Sequence, residues 1–99
     1  MDFLNLAKER FSARAFSAQV VEEDKVNYLL ECAQRAPSAC NKQPWHFVVV
    51  TEKKLLAALA ETNAQADFAK DAPLAIVVCG DMTKAIEGAG HDFWVQDCA

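Results

Sequence analysis

Two short runs of consecutive apolar residues constrain this chain more than any other feature of its sequence. They lie within 46–51, a strand carrying Phe47 and three valines, and within 74–80, a strand that follows Pro73. Neither run alternates with polar residues, a pattern typical of strands buried on both faces, and such strands need neighbours. Two of them among four or five helical segments predict an α+β fold of the α/β-sandwich type that is incomplete within these 99 residues.

Helical patterns precede the first strand. Asp2 is suited to cap a helix that runs from Phe3 to about Arg10, and residues 11–19 are expected to be irregular. A second helix begins at Glu22, places acidic residues in its first turn and ends before Pro37. Its apolar stripe has helical spacing and consists of Val26, Leu29, Leu30 and Ala33.

Further helices separate and follow the strands. Thr51 is predicted to cap a helix that extends to about Glu61, and residues 65–70 form another short helix. The stretch 90–99 begins a helix that stops in the middle of its pattern, without a stop signal. The chain is therefore expected to be a single domain over 1–99 that resembles the first part of a larger fold.

Composition excludes several classes of function. The formal net charge is −4 and there is no basic stripe, so nucleic acid is not an expected partner. The amino terminus does not resemble a signal peptide, and no apolar run approaches the roughly 18 residues of a membrane helix. The spacing of the four cysteines fits neither a redox pair nor a zinc site, which favours reduced thiols in the cytoplasm.

The first candidate site is the segment RFSAR at residues 10–14. In an extended chain Arg10, Ser12 and Arg14 lie on one side, where two guanidiniums and a hydroxyl suit a phosphate. The alternative is a solvated charged patch after a helix, because short Arg/Ser patterns are common by chance.

The second candidate is the loop APSACNKQPW at 36–45. Ser38, Asn41 and Gln43 are hydrogen-bonding residues between two prolines, Pro37 and Pro44, which restrict the loop and lower the cost of ordering it around a ligand. The alternative is that these side chains only satisfy local backbone groups, as turn residues do. Trp45 is assigned to the core.

No catalytic or metal-binding residue is predicted. No serine elbow, HExxH motif or paired histidine ligand spacing supports a catalytic role for His46, or for His91 beside Asp92, and a lone histidine at the start of a strand is more often structural. Cys40 could act as a nucleophile, but nothing near it in the sequence clearly activates it, and a buried spectator role is favoured.

Taken together and in order, the two candidate segments resemble the nitroreductase family of FMN-dependent oxidoreductases. Members have an R-x-S-x-R-like segment after the first helix and an A-P-S-x-x-N-x-Q-P-W-x-F loop before a strand; here these are 10–14 and 36–47. Residues 71–81 resemble the second strand of the family, and 93–99 resemble the start of its central helix. The resemblance covers the first half or so of a member and implies a mixed central sheet flanked by helices.

The resemblance implies a role for each matched residue. Arg10 and Ser12 would hold the phosphate and ribityl end of FMN, and Arg14 would lie towards the pyrimidine edge of the flavin. Residues from the loop of a partner subunit would line the isoalloxazine or support that loop; these are Pro37, Ser38, Asn41 and Gln43.

The resemblance also implies an activity and an assembly. NAD(P)H would deliver hydride to flavin N5, and a nitroaromatic, quinone or similar small-molecule acceptor would take the electrons, in a homodimer with FMN at its interface. The rest of the family fold is missing from this chain, which leaves a fragment, a split protein completed by a C-terminal chain, or a remnant without turnover. The alternatives from other classes are a non-catalytic dimerisation or interaction module and a small domain whose two motifs are turn chemistry only.

Overall fold

The computed structural model of the protein describes residues 2–84 and 93–99. Two 3₁₀ segments, Ala39–Asn41 and Ala64–Asp71, lie in loops within these ranges. The regular elements are α1 (Phe3–Glu9), α2 (Glu23–Gln34), β1 (Trp45–Val50), α3 (Lys53–Glu61), β2 (Ala75–Gly80) and α4 (Trp94–Cys98).

The first two helices follow their sequence signals. The Asp2 carboxylate accepts a hydrogen bond from the backbone N–H of Asn5 at 2.9 Å, which confirms its predicted role as the cap of α1. Helix α2 carries Glu23 and Asp24 in its first turn, as predicted, and ends three residues before Pro37. The segment between the helices is irregular, which is also as predicted.

Strands β1 and β2 pair with each other in antiparallel register. Trp45 lies opposite Gly80 and Val50 lies opposite Ala75, so the whole of each strand takes part. Within the described residues, these two antiparallel strands are the entire sheet. They therefore form only part of the mixed sheet that the family resemblance implies.

The expected burial of both strands on both faces is wrong for this chain. Val48 and Val78 are each 42 % exposed, and Trp45, which was assigned to the core, is half-buried. Each strand has a single partner strand, and the described helices leave many side chains of both strands open to solvent. Because β1 and β2 are so apolar, their exposure indicates surface that another polypeptide surface could cover.

The buried apolar side chains lie on α3 and at the end of β1, and α3 packs mainly against the 3₁₀ segment Ala64–Asp71. Leu56 and Ala60, one helical turn apart, are buried together with Val50 at the end of β1. The predicted cap at Thr51 is wrong: Glu52 occupies the cap position of α3 and makes no side-chain capping bond.

The two later helix predictions have different outcomes. The segment predicted as a helix at 65–70 is a kinked 3₁₀ segment, and the Asn63 side chain accepts a hydrogen bond from the Gln65 N–H at its start. The helix predicted within 90–99 is present as α4, although residues 90–92 lie outside the described ranges.

The chain exposes more surface than a closed domain of its mass. Its accessible surface is 7888 Å², whereas a closed monomer of this mass is expected to expose roughly 5,600 Å². The radius of gyration of 15.6 Å likewise exceeds the roughly 12.6 Å expected for this length.

Within 2–84 and 93–99, no helix combines the length and the apolar character that a membrane crossing requires.

Candidate functional site

The RFSAR segment leaves α1 in an extended conformation. Arg10, the C-cap of α1, has φ −64° and ψ 131°, and its Nη1 donates to the Ser12 hydroxyl oxygen at 3.4 Å. Both side chains are exposed, so a cation and a hydroxyl are offered together to solvent. The structure thus brings together two of the three residues predicted to converge here.

The third residue, Arg14, has different contacts. Its guanidinium lies 5.2 Å from the centroid of the Phe68 ring, and its Nη1 donates to the Ala13 carbonyl at 3.3 Å. Phe68 also packs against Phe16, with ring centroids 5.7 Å apart. The head of Arg14 is therefore oriented by an aromatic side chain of the 3₁₀ segment after α3.

The loop between α2 and β1 has an unusual backbone. Cys40, Asn41 and Gln43 have φ values of 50°, 54° and 50°, in the left-handed region that favours glycine. Asparagine tolerates this region, whereas a cysteine or glutamine there costs on the order of 1 kcal/mol or more. Such strain persists only where the surrounding structure holds it, and it is typical of ligand-binding segments.

Hydrogen bonds within the loop help to keep its backbone in this conformation. The Ser38 hydroxyl oxygen accepts from the Gln43 N–H at 3.0 Å, and the Ser38 carbonyl accepts from the Asn41 N–H at 3.0 Å. Pro44 is fully buried, and its carbonyl accepts from the Asp81 N–H at 2.6 Å. The loop is thereby closed on itself and tied to the residue that follows β2.

A carboxylate from the last helix provides a further tie. Asp97 on α4 accepts a hydrogen bond from the Ala39 N–H at 3.0 Å, across 58 residues of sequence. Helix α4 itself rests on the end of β2, where the Trp94 ring lies against Gly80 and the Cys98 thiol is 3.7 Å from the Cys79 carbonyl oxygen. Loop, sheet and last helix therefore form one connected unit.

The predicted loop residues divide into two groups by exposure. Ser38 is half-buried and is used to brace the loop, whereas Pro37, Asn41 and Gln43 are exposed. Gln43 also lines an open groove of about 510 Å³ between α2 and β1, together with Gln34 and other residues of those elements. The other six predicted residues do not line this groove, so its shape alone does not identify the candidate site.

The two candidate segments are not joined to each other. Among the residues that the structure describes, no hydrogen bond or ion pair links 10–14 with 36–44. Each segment is arranged by its own contacts, so a site containing both needs a further surface.

Among the residues that the structure describes, the remaining nucleophiles and bases do not gather into a second site. His46 is exposed, and so is Cys40, whose predicted burial is therefore wrong. Burial together with the nearby Asp97 raises the pKa of the Cys98 thiol above its usual range. The His91–Asp92 pair lies outside the described residues. Within the described ranges, no group of three potential metal ligands lies close enough to bind an ion.

Sequence reasoning missed two residues that shape the candidate site, Asp97 and Phe68. Asp97 lies on a helix whose start was predicted, but its contact with the loop depends on tertiary structure. Phe68 lies in the segment that was predicted as a short helix and is a 3₁₀ segment, and nothing in its spacing indicates a contact with Arg14.

Known proteins resemble this chain over nearly its whole length. The profile of the Nitroreductase family matches residues 7–98. A protein of Methanothermobacter thermautotrophicus with the provisional name NADH dehydrogenase/NAD(P)H nitroreductase is 39% identical over 100 residues, which cover 100% of this chain and 50% of the relative. The oxygen-insensitive NADPH nitroreductase of Helicobacter acinonychis is 34% identical, covering 92% of this chain and 47% of its own length.

A solved structure has the same fold. The FMN-dependent nitroreductase of Clostridium difficile R20291 superposes with a TM-score of 0.85 at 33% identity, covering 97% of this chain and 53% of that protein. The chain thus spans about half the length of the curated relatives it matches. The order of its elements, its two polar segments and these similarities agree, and the chain belongs to the nitroreductase family.

Proposed function

We propose that this chain supplies two parts of an FMN site in an NAD(P)H-dependent oxidoreductase, with residues 10–14 of one protomer and the loop 36–44 of another facing the same flavin. The observation that carries the proposal is the strained loop, in which three residues other than glycine are held in the left-handed region. A turn that merely connects a helix to a strand needs no such conformation. Two findings support a flavin as the ligand: the chain belongs to the nitroreductase family, and its structural neighbour from C. difficile is FMN-dependent.

The residues present suit the two ends of FMN. The exposed guanidinium of Arg10 and the hydroxyl of Ser12 lie 3.4 Å apart, and such a pair matches a phosphate dianion in charge and in hydrogen-bonding capacity. Arg14 carries a positive charge whose position is restricted by the Phe68 ring. A cation near the flavin ring would favour the anionic reduced form and so raise the reduction potential.

The loop suits the ring system. Asn41 and Gln43 expose amide groups on a backbone already held in a fixed conformation, while Pro37 adds an exposed apolar surface without an N–H donor. Because the loop is braced before binding, little conformational entropy remains to be lost when it contacts a flat ligand. Ser38 contributes indirectly, because its hydroxyl oxygen accepts a hydrogen bond from the backbone N–H of Gln43 and so holds the loop in place.

When bound, FMN would supply the hydride chemistry, accepting hydride from NAD(P)H and passing electrons to a nitroaromatic, quinone or similar acceptor. The side chains of this chain would bind the phosphate, orient the ring and set its potential. No protein acid or base is required for that role, because the reactive atoms belong to the cofactor.

Titration of the purified chain with FMN tests the proposal. We expect a yellow complex with absorption near ~450 nm that belongs to the flavin. Arg10→Ala removes a cation assigned to the phosphate, and loss of a hydrogen bond to a charged group weakens binding by roughly tenfold or more. Asn41→Ala removes an uncharged amide assigned to the ring, and loss of a bond between neutral groups weakens binding by about two- to tenfold. Lys25→Ala, which removes an exposed cation on α2 that pairs with Glu22, is the matched control and should leave the Kd unchanged.

A second candidate function is favoured by the surplus of exposed surface. Phe3 and Phe11 are 83% and 77% exposed, and the chain exposes about 40% more area than a closed domain of its mass. A dimerisation or interaction module would use the same surface without a cofactor. A chain that associates but remains colourless with added FMN would support the module, and a bound flavin that NADPH does not bleach under anaerobic conditions would support a remnant without turnover.

A further inference from the structure

Asp97 accepts a hydrogen bond from a backbone N–H of the loop, that of Ala39, which the hydrogen bonds within the loop leave without a partner. Ala39 is the first residue of the 3₁₀ turn in the loop, and the first N–H groups of such a turn have no partner within it. The preceding residue, Ser38, is at the N-cap position, where a serine hydroxyl commonly accepts from the N–H of the second or third residue of the turn and does not reach that of the first. Here that hydroxyl accepts from the Gln43 N–H and makes no capping bond. The Ala39 N–H donates to the Asp97 carboxylate at 3.0 Å.

The helix that carries Asp97 is seated independently of this bond. Trp94 packs against Gly80, and the Cys98 thiol contacts the Cys79 carbonyl oxygen, so two further residues fix α4 on the end of β2. Asp97 is half-buried, and a charge-assisted bond at such a position is stronger than one between neutral groups. The carboxylate therefore transmits the position of α4 to the loop.

We propose that Asp97 is a positioning residue for the cofactor loop, acting as a remote cap that holds Ala39 and, through it, the left-handed residues Cys40 and Asn41. The inference rests on the proposed function, in which this loop faces the flavin. Asp97 itself touches only the backbone of the loop and is assigned no contact with the cofactor.

The test separates the acceptor from the charge. Asp97→Asn keeps an oxygen in place to accept from the Ala39 N–H, whereas Asp97→Ala removes the acceptor; Asp24→Ala, which deletes an exposed carboxylate on α2, is the control. Hydrogen exchange of the Ala39 amide, followed by NMR without cofactor, reports the bond directly. FMN titration of the same variants reports its consequence.

We expect the Ala39 amide to exchange about tenfold faster in Asp97→Ala, and FMN to bind about tenfold more weakly, as for the loss of a charge-assisted hydrogen bond. Asp97→Asn and Asp24→Ala should stay within about threefold of the wild type in both measurements. If Asp97→Ala does not fold, Asp97→Leu, which also lacks an acceptor but fills more of the half-buried position, replaces it.

Unchanged Ala39 exchange in the variant without an acceptor overturns the inference, as do equal losses in Asp97→Asn and Asp97→Ala. The exchange measurement needs no flavin. A chain that binds no FMN therefore refutes the proposed function, while the Ala39 amide still decides whether Asp97 positions the loop.

Discussion

Gly80 offers a sharp test of how the last helix is packed. It is the final residue of β2, and a Cβ atom added there would lie 2.6 Å from Cε3 of Trp94 and 3.3 Å from its Cδ2 and Cζ3 atoms. Carbon atoms in contact are separated by about 3.5–4.0 Å. Gly80→Ala therefore requires the indole ring to move by about 1 Å, because the shortest of these contacts falls short by that much.

Two effects of this substitution have opposite signs. Gly80 lies in a paired strand, where alanine would ordinarily stabilise the fold by roughly 0.4–1 kcal/mol through the unfolded chain. The movement of Trp94 is resisted because its helix is tied to the loop by Asp97 and to β2 by Cys98. Overpacking at such a site costs about 1–3 kcal/mol, so the steric effect prevails and the net loss is about 1–2 kcal/mol.

A double-mutant cycle measures this directly. Urea unfolding followed by far-ultraviolet circular dichroism gives the free energy of unfolding without depending on the fluorescence of the replaced indole. In a Trp94→Leu background the obstruction is removed, and Gly80→Ala should become neutral or stabilising by roughly 0.4–1 kcal/mol. An equal loss of stability in both backgrounds, or no loss in the wild-type background, would refute the packing argument.

Three further predictions follow from single contacts. Leu56→Ala should lower the free energy of unfolding by about 2–5 kcal/mol, because this leucine is 1% exposed, whereas Leu55→Ala at a 52% exposed site should cost less than about 1 kcal/mol. Iodoacetamide at pH 8 should label Cys98 more slowly than the three exposed cysteines in a peptide mass analysis, because burial raises its pKa; equal rates would contradict this. Phe68→Leu should weaken FMN binding about two- to fivefold by releasing the guanidinium of Arg14, and Phe68→Trp should restore binding; a Kd unchanged in Phe68→Leu would contradict it.

Local structure could be predicted from the sequence because its causes are local. The cap at Asp2, the acidic first turn of α2 and the apolar run of β1 each depend on residues within a few positions of one another. The error at Thr51 is of the same kind, since two neighbouring residues could serve as the cap and the helix begins one residue later than that choice requires.

Burial could not be predicted in the same way. The valines of β1 have the composition of a strand covered on both faces, and that composition correctly predicts a strand. Whether the faces are covered depends on elements that pack against them, and in the described residues each strand has only one neighbouring strand. The apolar composition of β1 suits a strand with a neighbour on each side and covered faces. Within the described residues β1 has one neighbouring strand and part of its surface is exposed, and its composition does not reveal this.

The candidate site combines both situations. Spacing placed Arg10 beside Ser12 correctly, because alternate residues of an extended segment share a side. The motif also placed Asn41 in a specialised loop, but neither the left-handed backbone nor the bond from Ala39 to Asp97 has a signal in the local sequence. The assignment of these residues to a flavin stays a prediction.

The two segments differ in how firmly they are held, and this difference bears on how a shared site would form. The loop is fixed by the Ser38 and Asp97 side chains and by the buried ring of Pro44, so its conformation exists before any ligand arrives. The Arg10–Ser12 contact is exposed and 3.4 Å long, which leaves both side chains free to rearrange. The free-energy cost of ordering side chains on binding would therefore arise mainly at the phosphate end, where strong charge-assisted hydrogen bonds can offset it. The ring would contact a loop that is already rigid. This division favours the loop as the element that sets the geometry of the site and the arginine segment as the element that supplies its affinity.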